Sequence, residues 1–275
     1  MDPRYGAAAV SDGSAALVFG GYEYGPLDEI VRLEPGNSAT TYVARLPQAV
    51  VDPAAIWDGR YAYVFGGYNG ANDVDTIARF NPATGSLQVL ATHLPTANSG
   101  MAAAWTGSVG FLFGGVHDSD AILRFDPATG LAVPVGHLPF GMDGASAVWS
   151  GGRVYIFGGT AHGARWFDSI LSFDPLTTSV TTLSAHLPSA RSHGAAIAHG
   201  GQVYLAGGIG GDETRLDSVL RFDVVTGTLT ETGQRLPDPV SSVPGVEVAG
   251  ALYVIAGDRG EPYGPTSEVI RVQLA

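Results

Sequence analysis

Ionisable and aromatic side chains gather in six short stretches, each placed just after a pair of small residues. They hold Tyr22, Glu23 and Tyr24; Tyr68 and Asn69; His117 and Asp118; His162, Arg165 and Trp166; Asp212, Glu213 and Arg215; and Asp258, Arg259, Glu261 and Tyr263. Six triplets form a second set: Arg4-Tyr5-Gly6, Val50-Val51-Asp52, Asn98-Ser99-Gly100, Met142-Asp143-Gly144, Arg191-Ser192-His193 and Val240-Ser241-Ser242. The imidazole of His193, beside Arg191, is competent as a general base or a pH-sensitive contact. No nucleophile or second base is specified next to it, so a solvated loop histidine is the preferred reading. His117, Asp118, His162, Asp212 and Asp258 carry the donor atoms of a metal site. Their spacing matches no metal motif, and no metal is expected. Asn72-Asp73-Val74-Asp75 lacks the spacing and the later glutamate of a calcium loop and reads as a solvated turn.

Composition narrows the chemistry further. The 275 residues contain no cysteine, and all 14 basic residues are arginine. Thiol nucleophiles, thiolate metal sites and disulfides are excluded, as are Schiff bases and a lysine general base. No cofactor is expected. A formal net charge of -12 repels phosphate backbones, so nucleic acid is not an expected partner. No apolar run has the length of a membrane-spanning helix, and no membrane is expected. The start, Met1-Asp2-Pro3-Arg4, carries no apolar signal region, and the compartment stays open.

The elements that must position these loops repeat. Short apolar runs end in a small pair six times: Phe19-Gly20-Gly21, Phe65-Gly66-Gly67, Phe113-Gly114-Gly115, Phe157-Gly158-Gly159, Ala206-Gly207-Gly208 and Ile255-Ala256-Gly257. The period lies in the forties, which suits one four-stranded blade. A strand marker follows each pair, beginning at Asp28, Asp75, Asp120, Asp168 and Asp217, with Ser267 in the last copy. A Pro/Gly turn such as Asp126-Pro127-Ala128-Thr129-Gly130 comes next. An outer strand then closes at Arg45-Leu46-Pro47, His93-Leu94-Pro95, His137-Leu138-Pro139, His186-Leu187-Pro188 or Arg235-Leu236-Pro237. The recurring histidines read as structural caps of loop carbonyls, and the recurring aspartates as partners of backbone at the turn. Small-residue runs such as Ala102-Ala103-Ala104 suit the innermost strands. Trp57, Trp105 and Trp149 align at the ends of those strands, against Ser11, Ala198 and Glu247, and read as core or channel-plug packing.

This order of markers resembles the kelch repeat over essentially the whole chain. The expectation is an all-β fold, with residues 1–275 a single six-bladed β-propeller. Kelch repeats usually carry a tryptophan in the fourth strand; here Thr40, Leu87, Ala132, Val180 and Leu229 stand there. Six first, second and third strands are legible but only five fourth strands. Blade six is therefore expected to be three-stranded or closed by a segment outside the chain.

By this resemblance, the stretches after the small pairs and the six triplets share one face of the disc. Loops on a rigid frame are where binding residues concentrate. The expected function is a non-catalytic binding scaffold, monomeric, whose loop face takes a protein, a peptide or a small sugar-like ligand such as a glycan. The expected contacts are Arg4, Tyr22, Tyr24, Tyr68, His117, His162, Arg165, Arg191, His193, Asp212 and Arg259. Two alternatives remain: an enzyme similar to the kelch-like sugar mutarotases and epimerases, for which no motif transfers catalytic residues, and a structural fragment of a larger protein.

Overall fold

The computed structural model describes residues 1–34, 40–117, 119–161 and 164–273. Every regular element among them is a β-strand, and the strands form a six-bladed propeller. Alternation of apolar and polar residues, bounded by Gly and Pro turns, builds four-stranded antiparallel blades. Blade one, for example, comprises Ala8–Ser11, Ala16–Phe19, Leu27–Leu33 and Thr40–Val50. Blades two to five repeat this order. Blade six has three strands among the described residues: Gly245–Val248, Ala251–Asp258 and Pro265–Val272. The six first strands touch one another in sequence, and the last touches the first, so they close a ring around a central channel.

The core is six wedges, one at each blade junction. Four junctions share one aromatic contact. The second-strand phenylalanine of one blade meets the third-strand phenylalanine of the next edge to face: Phe19 on Phe80, Phe65 on Phe125, Phe113 on Phe173 and Phe157 on Phe222. Such pairs add about 0.5–1.5 kcal/mol beyond the area that they bury. The same positions hold Ala206 and Val272 between blades five and six, and Ile255 and Leu33 between blades six and one. Neither wedge beside blade six therefore has the phenylalanine pair. The outer strands carry no tryptophan at the positions Leu87, Ala132, Val180 and Leu229 and pack there with small and aliphatic groups.

The small pairs lock neighbouring blades together. The second member of each donates its N–H to a carbonyl of the next blade's lead-in: Gly21 to Val50, Gly67 to Asn98, Gly115 to Met142, Gly159 to Arg191, Gly208 to Val240 and Gly257 to Arg4, all at 2.7–2.9 Å. The first member lies against that same carbonyl. A Cβ on Gly158 would stand 2.0 Å from Arg191 O, and one on Gly66 would stand 2.2 Å from Asn98 O. Blade six carries Ala256 here, at φ 58, facing the seam that closes the ring. Two substitutions separate backbone strain from this close approach. Gly152 and Gly158 both have positive φ, but nothing lies within 4 Å of a Cβ on Gly152. Gly152→Ala is expected to cost about 1 kcal/mol, the ordinary left-handed penalty. Gly158→Ala is expected to cost about 3 kcal/mol, because the blades must also part. Urea denaturation of the two variants measures the difference.

The recurring aspartates and the His/Arg marker pair with one another across the third and fourth strands, rather than with loop carbonyls or backbone. The pairs are Asp28–Arg45, Asp75–His93, Asp120–His137, Asp168–His186 and Asp217–Arg235, at 2.7–3.4 Å. All are solvent-exposed and worth at most about 1 kcal/mol each.

Candidate functional site

The triplets explain themselves position by position. The first residue turns back into its own blade. Arg4, Asn98 and Arg191 each donate to the carbonyl of the first glycine of the pair, on Gly20, Gly114 and Gly207. Val50, Met142 and Val240 are buried at the equivalent places. The second residue bridges to the residue following the small pair: Tyr5 with Tyr22, Val51 with Tyr68, Asp143 with Thr160 and Ser241 with Asp258. The third residue, always in the left-handed region (φ 52 to 66), faces the axis.

Those six third residues close a ring of backbone hydrogen bonds. Asp52 N donates to Gly6 O (2.7 Å), Gly100 N to Asp52 O (3.0 Å), Gly144 N to Gly100 O (3.0 Å), His193 N to Gly144 O (2.7 Å) and Gly6 N to Ser242 O (3.0 Å). The sixth link runs from Val243 N to His193 O at 3.4 Å. The ring frames a cavity of about 110 Å³ at the channel mouth. Glycine at three of the six places leaves room for the side chains at the others. Asp52 leads into blade two and His193 into blade five, so they stand opposite each other across the axis. The Asp52 carboxylate lies over Gly6, and the His193 ring lies over Gly144. His193 Nδ1 is 2.7 Å from Ser192 Oγ. Asp52 is half-buried, and its carboxylate has no hydrogen bond or ion pair among the described residues. Its pKa is raised, first by desolvation, then by the nearby charges of Asp143 and Asp73, while His193 pulls it down.

The expected contacts separate into groups. Arg4 is 0% exposed; its guanidinium bonds Gly20 O and Asp2 O and pairs with Glu29 at 2.6 Å. Arg191 is likewise buried, bonding Gly207 O and Ser218 Oγ with its Nε left without a partner, and burial holds its pKa down to about 10. Both are placed inside the framework, since the first triplet position points away from the mouth. Arg259 is tied to Asp238 and Glu268, and Arg215 to Asp258. Asp212 is exposed and accepts from Thr214 N within its own turn, which lowers its pKa. His117 reaches Asp73 Oδ2 at 2.9 Å, and Asn98 clamps the His117 backbone through N–H and carbonyl. Tyr22 lies against Tyr5, with ring centroids 5.3 Å apart. Arg165 is exposed over the Phe167 ring. Tyr24 (95% exposed) and Tyr68 (39%) face solvent. His162 and Asp118 lie outside the described residues.

Of the groups considered for a metal, His117, Asp212 and Asp258 are described and are engaged separately, and no three His, Asp or Glu side chains converge among the described residues. The feature that sequence reasoning did not single out is Asp52. Its signal is a column of the triplets that reads Gly, Asp, Gly, Gly, His, Ser.

Two stability outcomes follow. Arg4→Met strands the Glu29 charge and is expected to cost about 2 kcal/mol, whereas Arg191→Met removes a buried cation without a carboxylate partner and is expected to be neutral or stabilising. Urea denaturation at neutral pH reads both. Asp52→Asn keeps the left-handed backbone, which asparagine tolerates. Because the folded-state pKa of Asp52 lies above the unfolded value, its ionised form costs stability at neutral pH, and that cost disappears as pH falls through the folded pKa toward about 4. Asp52→Asn is therefore expected to melt higher than the parent at neutral pH, with the gap closing on acidification.

Comparison with known proteins places these repeats. A family model described as "Kelch motif" matches residues 190–228, the lead-in and first three strands of blade five. A relative from Archaeoglobus fulgidus, described as a "Kelch domain-containing protein", is 30% identical over 132 residues. The match covers 45% of this chain and 39% of that relative.

Proposed function

We propose that this chain, a six-bladed β-propeller of kelch repeats, is a non-catalytic binding scaffold whose loop face takes a protein or peptide segment. In this reading a cationic side chain of the partner enters the channel mouth and meets Asp52. The observation that carries it is the unpartnered Asp52 carboxylate on the wall of a glycine-framed cavity. Around it, Arg215 and Arg259 are already paired with carboxylates of the chain itself. A guanidinium or ammonium would relieve the repulsion among Asp52, Asp143 and Asp73. Tyr24 and Tyr68 supply exposed aromatic surface at the rim, of the kind enriched at contact centres. Arg165 and His193 complete the proposed contacts. The net charge of -12 favours basic partners and disfavours nucleic acid. The scaffold works as a monomer in this reading, because one chain forms the whole ring.

The alternative of acid–base work on a sugar ring would draw on Asp52 and His193. They share no hydrogen bond, and His193 Nδ1 is engaged by Ser192. The binding reading needs neither group to move a proton.

A peptide array probed with the intact protein tests the proposal. Captured sequences are expected to be enriched in arginine or lysine at one central position. Asp52→Asn is expected to lose that preference and about tenfold in affinity, the scale of one charge-assisted contact. Capture of acidic and neutral peptides as readily as basic ones, or an unchanged preference in Asp52→Asn, would overturn it.

A further inference from the structure

The opposite end of the channel has its own ring, and its composition is unlike the first. The last channel-facing residue of each first strand is, in blade order, Ser11, Trp57, Trp105, Trp149, Ala198 and Glu247. All six line a cavity of about 360 Å³. Above them the strands present Ala9, Ala55, Ala103, Ala147, Ala196 and Gly245, which keeps the channel wide. The three indoles thus occupy consecutive blades and form an arc. Sixfold order puts the middle one, Trp105, opposite Glu247, while Ser11 and Ala198 leave the flanks open. In line with the expected core packing, each indole lies against the wedge of one blade junction, Trp57 between blades one and two, Trp105 between two and three and Trp149 between three and four, while it also lines the cavity. The three tryptophans are half-buried, and among the described residues none has a hydrogen bond, an aromatic partner or a cation over its ring.

Glu247 is the only ionisable residue among those lining the cavity, and His199 Nδ1 lies 3.2 Å from its Oε1 at the rim. An arc of indoles opposite one carboxylate is a poor site for an anion, which the carboxylate repels. A neutral apolar molecule would desolvate the carboxylate and offer it no partner beyond His199, which is costly. An organic cation satisfies both at once: the indole quadrupoles attract it, tryptophan most strongly, and the carboxylate neutralises it. A compact ammonium with a methylated surface has less hydration to lose than a primary amine. We infer that this cavity binds an organic cation of the quaternary ammonium class, held by Trp57, Trp105 and Trp149 on one side and by Glu247 on the other. This site is independent of the loop face, because the two cavities share no lining residue.

Tryptophan fluorescence reads the site directly. Three of the four tryptophans line it, and the fourth, Trp166, belongs to the loops of the other face. Choline and tetramethylammonium chloride, titrated into the intact protein at constant ionic strength, are expected to give a saturable change in emission. The uncharged carbon isostere of choline, 3,3-dimethyl-1-butanol, is expected to bind about tenfold more weakly, as is choline to Glu247→Gln or Trp105→Leu. Trp105→Phe keeps a π-face and should retain part of the affinity, and Trp166→Phe should retain the whole response. The inference is overturned if the uncharged isostere matches choline or if Glu247→Gln binds choline as the parent does. It is overturned equally if glucose, rather than the cations, gives the saturable change, or if no probe moves the emission.

Discussion

The structure depends on one contact repeated six times, the approach of each small-residue pair to the lead-in carbonyl of the next blade. It combines a hydrogen bond from the second residue with, in five of the six copies, a backbone approach by a first glycine that leaves almost no space for a side chain. Each blade junction is thereby fixed at one spacing. The consequence reaches the mouth, because the same lead-in that accepts this bond carries the left-handed third residue only two positions later. The ring of backbone bonds around the axis is the inner copy of the outer lock. A displaced pair at any blade would open both.

Between the two rings the wedges supply the bulk of the stabilisation, through burial of apolar surface. Their chemistry is uneven. Edge-to-face phenylalanines bind four junctions, and the two beside blade six lack that pair. Blade six also has three strands among the described residues, an alanine in place of the first glycine, and no copy of the exposed Asp–His/Arg pair. These departures coincide in the blade that closes the ring onto blade one. A seam whose wedge lacks the phenylalanine pair of the other junctions is where a closed propeller opens most easily, and local stability is expected to be lowest there.

The repeat made the fold legible, because it works through backbone rules. Gly-Gly, Asp-Pro-x-Thr-Gly and Leu-Pro mark places where only certain residues fit, so blade number and strand order could be read, as could the three strands that blade six has among the described residues. Side-chain direction was less accessible. Arg4 and Arg191 have the chemistry of ligand contacts and sit in the expected loops, yet the first triplet position points backward, toward its own glycine carbonyl. His93, His137 and His186 recur at one register, but their partners lie across a strand pair some 18 residues away in the chain. Asp52 belongs to no motif at all. It acquires meaning only when six lead-ins are stacked around an axis and its column proves to be half glycine.

That column suggests how a sixfold scaffold acquires specificity. Perfect repetition would place identical groups around the channel, and identical groups cannot distinguish one face of a ligand from another. The chain breaks its symmetry at both ends of the channel while keeping the backbone ring intact. At the mouth, Asp52 and His193 adopt a left-handed conformation that glycine would take at lower cost, and Asp52 also carries a charge into a desolvated position. At the far end, three indoles stand where serine and alanine satisfy the equivalent strands. At the mouth the local substitution costs stability, and at the far end the indoles rest on the wedges while also standing open to the channel. Departures that the framework does not require, gathered at the two openings of one channel, are where selection for ligands would act on such a scaffold.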